Sequence, residues 1–125
     1  MKTFGIGAIS LALSFAIGAF GTHALRGQLP ADLLSVFQTG QQYQVYGSIA
    51  LMLMGIKPVA HTNDKVAAWL VGLGVMVFSG SLYALALTGI GILGAITPLG
   101  GVLMIVGLSM SAWASFGQRK GPDVR

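Results

Sequence analysis

Residues 37–56 read FQTGQQYQVYGSIALMLMGI, a stretch in which a polar half is followed directly by an apolar half. Four glutamines lie in the polar half, and the apolar half carries no amide and no charged side chain: the glutamines are Gln38, Gln41, Gln42 and Gln44. No proline or charge interrupts the stretch, and about 20 predominantly apolar residues are enough for a helix to span a bilayer. The sequence therefore predicts a membrane-spanning helix whose amides are gathered at one end.

Charge-free runs of comparable or greater length surround this stretch, at 3–25, 33–56 and 66–118. The 125 residues are 54% hydrophobic and 8% charged, with a mean hydropathy of +0.81, which leaves too little charge to cover a water-soluble surface. We therefore predict an all-α integral membrane protein, a four-helix transmembrane bundle, because the last run is long enough for two passes. We expect helices at about 3–24, 31–56, 65–88 and 92–117, within a single domain of residues 1–118 that a short basic tail, 119–125, follows.

The basic residues indicate the orientation of the predicted bundle. If four helices are threaded in order, both termini and the loop at 57–64 share one side of the membrane. Six of the seven lysines and arginines fall on that side, and only Arg26 falls on the other. The positive-inside tendency then places both termini and the tail in the cytoplasm. The six residues are Lys2, Lys57, Lys65, Arg119, Lys120 and Arg125.

A second interpretation of the first segment remains open. A lysine, an apolar run and the tripeptide THA resemble a signal peptide that is cleaved after Ala24. The apolar run is longer than the usual h-region of about 7 to 15 residues, which favours a retained first helix. Cleavage would leave three helices and would place the two termini on opposite sides.

Small residues recur every four positions in three of the predicted helices. Lipid gives helices no hydrophobic reason to associate, so close backbone approach along such rows stabilises membrane bundles. We expect the rows to pack within the bundle, and self-association of copies through one row is the alternative. The rows are Ser10, Ser14, Gly18 and Thr22 beside Ala8, Ala12 and Ala16; Gly72, Met76, Gly80 and Ala84; and Gly107, Ser111 and Ser115.

Prolines mark the expected helix ends. Pro30 suits the first turn of the second helix, and Pro58 marks the end of that helix. Pro98 has two interpretations. We expect it to kink a longer fourth helix, but it can also begin that helix together with Thr97, after a tight apolar connection at 89–97.

Polar side chains of all four predicted helices meet in the outer half of the bundle. With a rise of about 1.5 Å per residue, Gln44 lies roughly 18 Å from an inner boundary near Ile56. Such groups are costly at membrane depth unless they pair or face a water-filled cavity. We expect them to cross-link helices, and an outward-opening ligand pocket is the alternative. The candidate residues are His23, Arg26, Gln38, Gln41, Gln42, Gln44, Tyr46, Ser79, Ser81, Tyr83 and Thr97.

The residue types argue against catalysis and against a metal or cofactor site. The chain has no cysteine, and Asp32, Asp64 and Asp123 lie in loops or at helix ends on differing sides, so no carboxylate pair forms. His23 and His61 are expected on opposite sides of the membrane. The scattered basic residues form no face for nucleic acid. We therefore predict a protein that is not an enzyme and has no catalytic residue, metal, cofactor or nucleic-acid partner.

Three ordered motifs carry a family resemblance: GAFGTHALRGQL, FQTGQQYQVY, and FSGSLYALALTG followed by LGAITPLGG. They resemble the YgdD-like family of small inner-membrane proteins, which has a mitochondrial relative. The resemblance implies a four-helix protein of the inner membrane with no established function, and it supplies no catalytic residues. Such proteins usually read YHALAL where residues 46–51 stand here. Gly47 thus replaces a histidine, which undermines a metal or haem site built from two histidines.

These observations favour a structural or accessory protein in the lipid bilayer, acting through helix contacts with copies of itself or with another membrane protein. The alternative is binding or transport of a small polar or amphipathic ligand through the outer polar layer. The chain has no paired intramembrane carboxylates and no matching polar track in the inner half. A ligand protein of this kind would therefore hold a pocket and not a conduit.

Overall fold

A computed structural model describes residues 2–57 and 62–117, and the regular elements in this part of the chain are helices. The first helix, α1, continues through a π-helical turn into the short helix α2, and a 3-10 helix precedes α5. The bounds are α1 Lys2–Ala16, the π-helical turn Ile17–Gly21, α2 Thr22–Leu25, α3 Ala31–Ile56, α4 Thr62–Thr88, the 3-10 helix Gly91–Ala95 and α5 Thr97–Gly117.

The long helices pack in chain order as an antiparallel row: α1 on α3, α3 on α4, and α4 on α5. Among the described residues, α1 and α5 make no extensive contact with each other, so the row is open. One end of the row contains Lys57 and the other contains Arg26; we call them the Lys57 end and the Arg26 end. At the Lys57 end, the Lys57 ammonium donates to Ser115 Oγ at 2.9 Å and ties α3 to α5.

Three of the four long helical segments are long and apolar enough to cross a membrane: Lys2–Leu25, Thr62–Thr88 and Gly91–Gly117. The fourth, α3, has 26 residues and is long enough, but it is not among them. Its four glutamines lower its mean hydropathy, because amides are strongly hydrated. The all-helical class is thus confirmed, with four long helices of which three have the composition of membrane spans.

Glycines set the distance between neighbouring helices. A side chain on Gly7 of α1 would place its Cβ 2.8 Å from the Ser48 carbonyl oxygen of α3, and one on Gly74 of α4 would place it 2.7 Å from the Gly100 carbonyl oxygen of α5. Backbone cannot yield as a flexible side chain does, so only glycine allows these contacts. Close approach of this kind stabilises helix pairs in lipid through van der Waals packing and not through burial from water.

The expectation that the rows of small residues pack within the protein is confirmed for some rows and wrong for others. Ser14 of α1 is fully buried and Gly107 of α5 packs on Ala67, so packing within the protein is confirmed for the row from Ser10 to Thr22 and for the α5 row. In the neighbouring alanine row of α1, Ala12 and Ala16 are exposed, so the expectation is wrong there. The same expectation is wrong for the α4 row. Met76 is 72% exposed, and a Cβ at Gly80 would meet nothing within 4 Å. The reason is that α4 packs on both of its neighbours through a different face, which includes Val71 and Gly74.

The connection between α4 and α5 corrects the expectation for Pro98. Gly89 adopts a positive φ of 72°, after which the 3-10 helix Gly91–Ala95 reverses the chain. The α-helix begins at Thr97 and places Pro98 in its first turn, where no helical hydrogen bond needs the proline nitrogen. A kinked longer helix is therefore wrong, and the start at Thr97 is confirmed. Pro58 lies outside the described residues.

The contact between α4 and α5 predicts a contrast between two glycines. We expect Gly100→Ala to lower the free energy of unfolding by about 1–3 kcal/mol, because the added methyl would overlap the Phe78 backbone nitrogen. Gly80→Ala is the matched control, since that position is open and alanine favours a helix. Denaturant titrations followed by circular dichroism in detergent micelles measure both changes. Equal stability of the two variants would contradict the packing.

Candidate functional site

The Gln44 side chain joins three helices. It is 8% exposed and lies on α3 between α1 and α4. Its Nε2 donates to the Ser10 carbonyl oxygen of α1 at 3.0 Å, and its Oε1 accepts from the Tyr83 hydroxyl of α4 at 2.6 Å. One amide therefore uses its donor and its acceptor on different helices, which fixes the positions of all three relative to one another.

Serines complete this arrangement, which we call the Gln44 cluster: Gln44, Ser10, Ser48 and Tyr83. Ser48 is fully buried, and its hydroxyl donates to the Gln44 carbonyl oxygen at 2.5 Å. The Ser48 and Ser10 hydroxyl oxygens lie 2.7 Å apart, within hydrogen-bond distance. The main polar groups of the cluster thus bond to one another, and the cluster is a closed structural network.

A second amide binds α1 to α3 one turn nearer the Arg26 end. The Gln41 Nε2 donates to the Ser14 carbonyl oxygen at 3.1 Å. A side chain on Gly18 would place its Cβ 2.9 Å from the Gln41 Nε2, so the glutamine lies flat against the glycine. Gly18 belongs to the π-helical turn, at the end of which the Thr22 N–H donates to the Ile17 carbonyl oxygen. This turn is not among the elements predicted from the sequence.

Hydroxyl groups link α4 to α5. The Ser81 and Thr97 hydroxyl oxygens lie 2.6 Å apart, and both residues are buried. Ser79 is also buried, but its Oγ has no hydrogen-bond partner among the described residues. It lies on α4 between Val75 and Leu82, which contact Gly47 and Gly40 of α3. Three candidates from α4 and α5 are therefore inside the protein, and two of them are bonded.

The remaining candidates are not brought into this interior. His23 and Arg26 are exposed at the Arg26 end. Gln38 and Gln42 are exposed on the side of α3 that faces neither α1 nor α4, and no hydrogen bond to either side chain occurs within the described ranges. Tyr46 is 58% exposed and makes an edge contact with Tyr43, with ring centroids 5.5 Å apart. The predicted polar layer thus divides into an inner bonded set and an outer exposed set.

The candidate residues predicted from the sequence do not include Ser10, Ser14 and Ser48, although these three accept or donate hydrogen bonds in the inner bonded set. A signal for them exists in the sequence. Ser10 and Ser14 belong to the small-residue row of α1, and Ser48 follows Gln44 by four residues, one helical turn later on the same face. Small polar residues at such positions hydrogen-bond across helices in membrane proteins.

An open groove of about 630 Å³ lies at the Lys57 end, far from the candidate residues. It runs along α5, and Asn63 at the start of α4 also lines it. Its lining is mostly apolar. Besides Asn63, the lining residues are Val106, Ser109, Met110, Trp113, Ala114 and Gly117. None of the predicted candidate residues lines this groove.

Metal and haem chemistry gains no support from the described part of the chain, in which no group of three or more histidine, aspartate or glutamate side chains converges. His61 and Asp123 lie outside that part. Gly47 stands where the family that the three sequence motifs resemble usually has a histidine. A side chain has no room at this position, because a Cβ on Gly47 would overlap the Val75 side chain. No side chain fits there without a change in α4.

Two glutamines of α3 provide a matched test of the Gln44 cluster. We expect Gln44→Leu to lower the free energy of unfolding by about 1–2 kcal/mol, because the Tyr83 hydroxyl and the Ser10 groups lose their partner. Gln42→Leu, two residues earlier, should change it by less than about 0.5 kcal/mol. Unfolding titrations in detergent micelles give both values.

A double-mutant cycle isolates the bond to α4. Gln44→Leu combined with Tyr83→Phe should show a coupling energy of about 0.6–2 kcal/mol, the range for hydrogen bonds between membrane helices. Strictly additive effects of the two substitutions would contradict the bond between these side chains.

Comparison with known proteins places the chain among small membrane proteins. Residues 17–101 match a family model described as a protein of unknown function, DUF423. The UPF0382 membrane protein SH2409 of Staphylococcus haemolyticus (strain JCSC1435) is 47% identical over 118 residues, covering 93% of this chain and 97% of the relative. The UPF0382 membrane protein YwdK of Bacillus subtilis (strain 168) is 46% identical over 115 residues, covering 85% and 89%.

No solved structure matches the chain. The relatives support the resemblance stated above at the level of a small membrane family of unknown function, without the YgdD name. Both the family model and the relatives cover α3 with its glutamines and the connection to α5. The chain therefore belongs to the DUF423 family of UPF0382 membrane proteins.

Proposed function

We propose that this protein is a four-span, non-catalytic structural or accessory protein of the inner (cytoplasmic) membrane, with both termini in the cytoplasm. It acts through helix contacts with a copy of itself or with another membrane protein. The observation that carries the proposal is the open row. The polar interior is used to join helices, while long helix faces remain uncovered on all four of them.

Packing supports a membrane-spanning α3 despite its glutamines. Its 26 residues extend about 39 Å, which exceeds a hydrocarbon core of about 30 Å. Gln41 and Gln44 point at α1 and α4 and are bonded there, so lipid does not meet these two amides. Polar residues that are paired inside a bundle are compatible with a transmembrane helix.

Charge supports the orientation. Lys2, Lys57 and Lys65 lie at or next to the Lys57 end of the row, and Arg26 lies at the opposite end. The positive-inside tendency then makes the Lys57 end cytoplasmic. The first segment, Lys2–Leu25, contributes Ser10 and Ser14 to the bonds with α3, which supports its retention in the protein.

The uncovered faces support a role in helix contacts. Within the described part, α1 packs mainly on α3 and α5 mainly on α4, and each leaves a row of large apolar side chains exposed. Lipid and other helices cover such faces in a membrane. The ligand-binding alternative gains no comparable support, because Gln44 and Tyr83 already satisfy each other.

The absence of cysteine makes the topology directly testable. We expect Gln28→Cys to react with a membrane-impermeant maleimide in intact cells, and Asn63→Cys to react only after the membrane is permeabilised. The reason is that α3 would carry the chain from one side to the other. Mass shift on a gel measures the labelling. Labelling of both residues from the same side would contradict a spanning α3.

The proposed role is tested by purification of the tagged full-length chain from its native membrane in a mild, bilayer-preserving polymer. We expect a stoichiometric assembly, either with copies of itself or with another membrane protein, when its mass is measured by native mass spectrometry. A single chain without any bound protein would contradict the role. Any assembled species would support it, whichever partner is present.

A further inference from the structure

The face of α3 that is turned away from α1 and α4 differs from every other uncovered helix face. We call it the α3 outer face: Gln38, Gln42, Tyr46, Ile49 and Leu53. These residues recur at helical intervals of three and four, and all five are exposed. The face is polar towards the Arg26 end and aliphatic towards the Lys57 end.

The contrast with the other helices is chemical. Residues 6–20 of the first segment, 66–87 of α4 and 99–116 of α5 contain no amide, carboxylate, imidazole, ammonium or guanidinium. Their exposed side chains include Ile9, Met76 and Ile105, which lipid solvates well. Apart from Asn63 in the first turn of α4, at the Lys57 end, the α3 outer face is therefore the one place where the described helices turn amides outward.

Depth makes this exposure costly. On the proposed topology, Gln42 lies about 21 Å from the boundary near Ile56, or about 9 Å below the opposite boundary of a core of about 30 Å. Lipid chains offer no hydrogen bond there, and an unpaired amide in an apolar medium costs free energy. Gln38 lies near the headgroups and can be solvated there. Gln42 lies too deep for solvation by the headgroups, and the Tyr46 hydroxyl lies one turn further towards the Lys57 end.

We propose that the α3 outer face is the contact between two copies of this chain, which form a symmetric parallel dimer in the membrane. The inference rests on the proposed function and names its partner and its surface. Two identical helices related by a twofold axis along the membrane normal bring Gln42 opposite Gln42. A glutamine amide carries both donors and an acceptor, so two of them satisfy each other.

The composition of the face favours a second copy over a different protein. A twofold contact places each residue near its own counterpart, and this face contains no charge that would repel itself. In such a dimer each amide faces an amide of the other copy and each Tyr46 faces the other Tyr46. Ile49 and Leu53 form an aliphatic contact nearer the Lys57 end. The position of α3 inside the row leaves this face accessible without disturbing the contacts of α3 with α1 and α4.

Cross-linking tests the surface in the cysteine-free, full-length protein in its native membrane. We expect Ile49→Cys, on the α3 outer face, to form a disulfide-linked dimer on mild oxidation. Met76→Cys is the matched control, because it is 72% exposed and lies at a comparable depth on α4. It should stay monomeric under the same conditions. Gel mobility with and without reductant gives the yields.

A second measurement tests the amide itself. Energy transfer between labelled chains in lipid vesicles should show an association constant that falls by about three- to thirty-fold in Gln42→Leu, as expected for loss of an interhelical hydrogen bond. Met76→Leu should leave the constant unchanged. The helical content and unfolding midpoint of Gln42→Leu monomers should equal those of the parent, which separates loss of contact from loss of fold.

The outcomes distinguish the inference from the proposed function. Dimers that cross-link through Met76→Cys and not Ile49→Cys would overturn the α3 outer face and leave the proposed function standing. A cross-link from Ile49→Cys to a different protein would overturn the second copy and again support the proposed function. A chain that stays single in every assay would overturn both.

Discussion

The packing of α1, α3 and α4 depends on the hydrogen bonds of one side-chain amide, that of Gln44. It donates to α1 and accepts from α4 while it belongs to α3, at distances of 3.0 and 2.6 Å. In lipid, where apolar contacts gain little from the exclusion of water, such bonds and close glycine contacts determine which helices are neighbours. The order of the row, α1 to α3 to α4, follows from this residue, and α5 is then added through Gly74, Gly100 and the Ser81–Thr97 pair.

The glutamines of α3 show how one helix serves two purposes. Gln41 and Gln44 point into the row and bond to α1 and α4, whereas Gln38 and Gln42 point outward and remain exposed. The helix is polar on its outward side at a depth where the other helices are apolar. The otherwise apolar protein therefore has one surface, on the outward side of α3, whose amides can form hydrogen bonds with a neighbouring molecule. It also explains why α3 lacks the composition of an ordinary span although it occupies the middle of the row.

Much of the fold could be predicted from the sequence, because charge-free runs and their borders define helices by length alone. The sequence predicts the second long helix at 31–56, and the structure has Ala31–Ile56. The direction that each side chain faces could not be predicted in the same way. Met76 and Gly80 show the same four-residue interval as Ser10 and Ser14, yet Met76 and Gly80 are exposed whereas Ser14 is fully buried, because a repeat does not reveal which neighbour it meets. Likewise, Pro98 fits both a kink and a helix start, and the turn at Gly89 decided between them.

The bonds of Gln44 determine the helix packing described above, and solid-state NMR of the uniformly labelled protein in bilayers measures them directly. We predict a cross-peak between the Gln44 side-chain nitrogen and the Ser10 carbonyl carbon, as the 3.0 Å bond to the Ser10 oxygen requires. We also expect this amide to exchange slowly with water, because Gln44 is buried. A Gln44 nitrogen that shows no contact with α1 and exchanges rapidly would contradict the bonds that join α1 to α3.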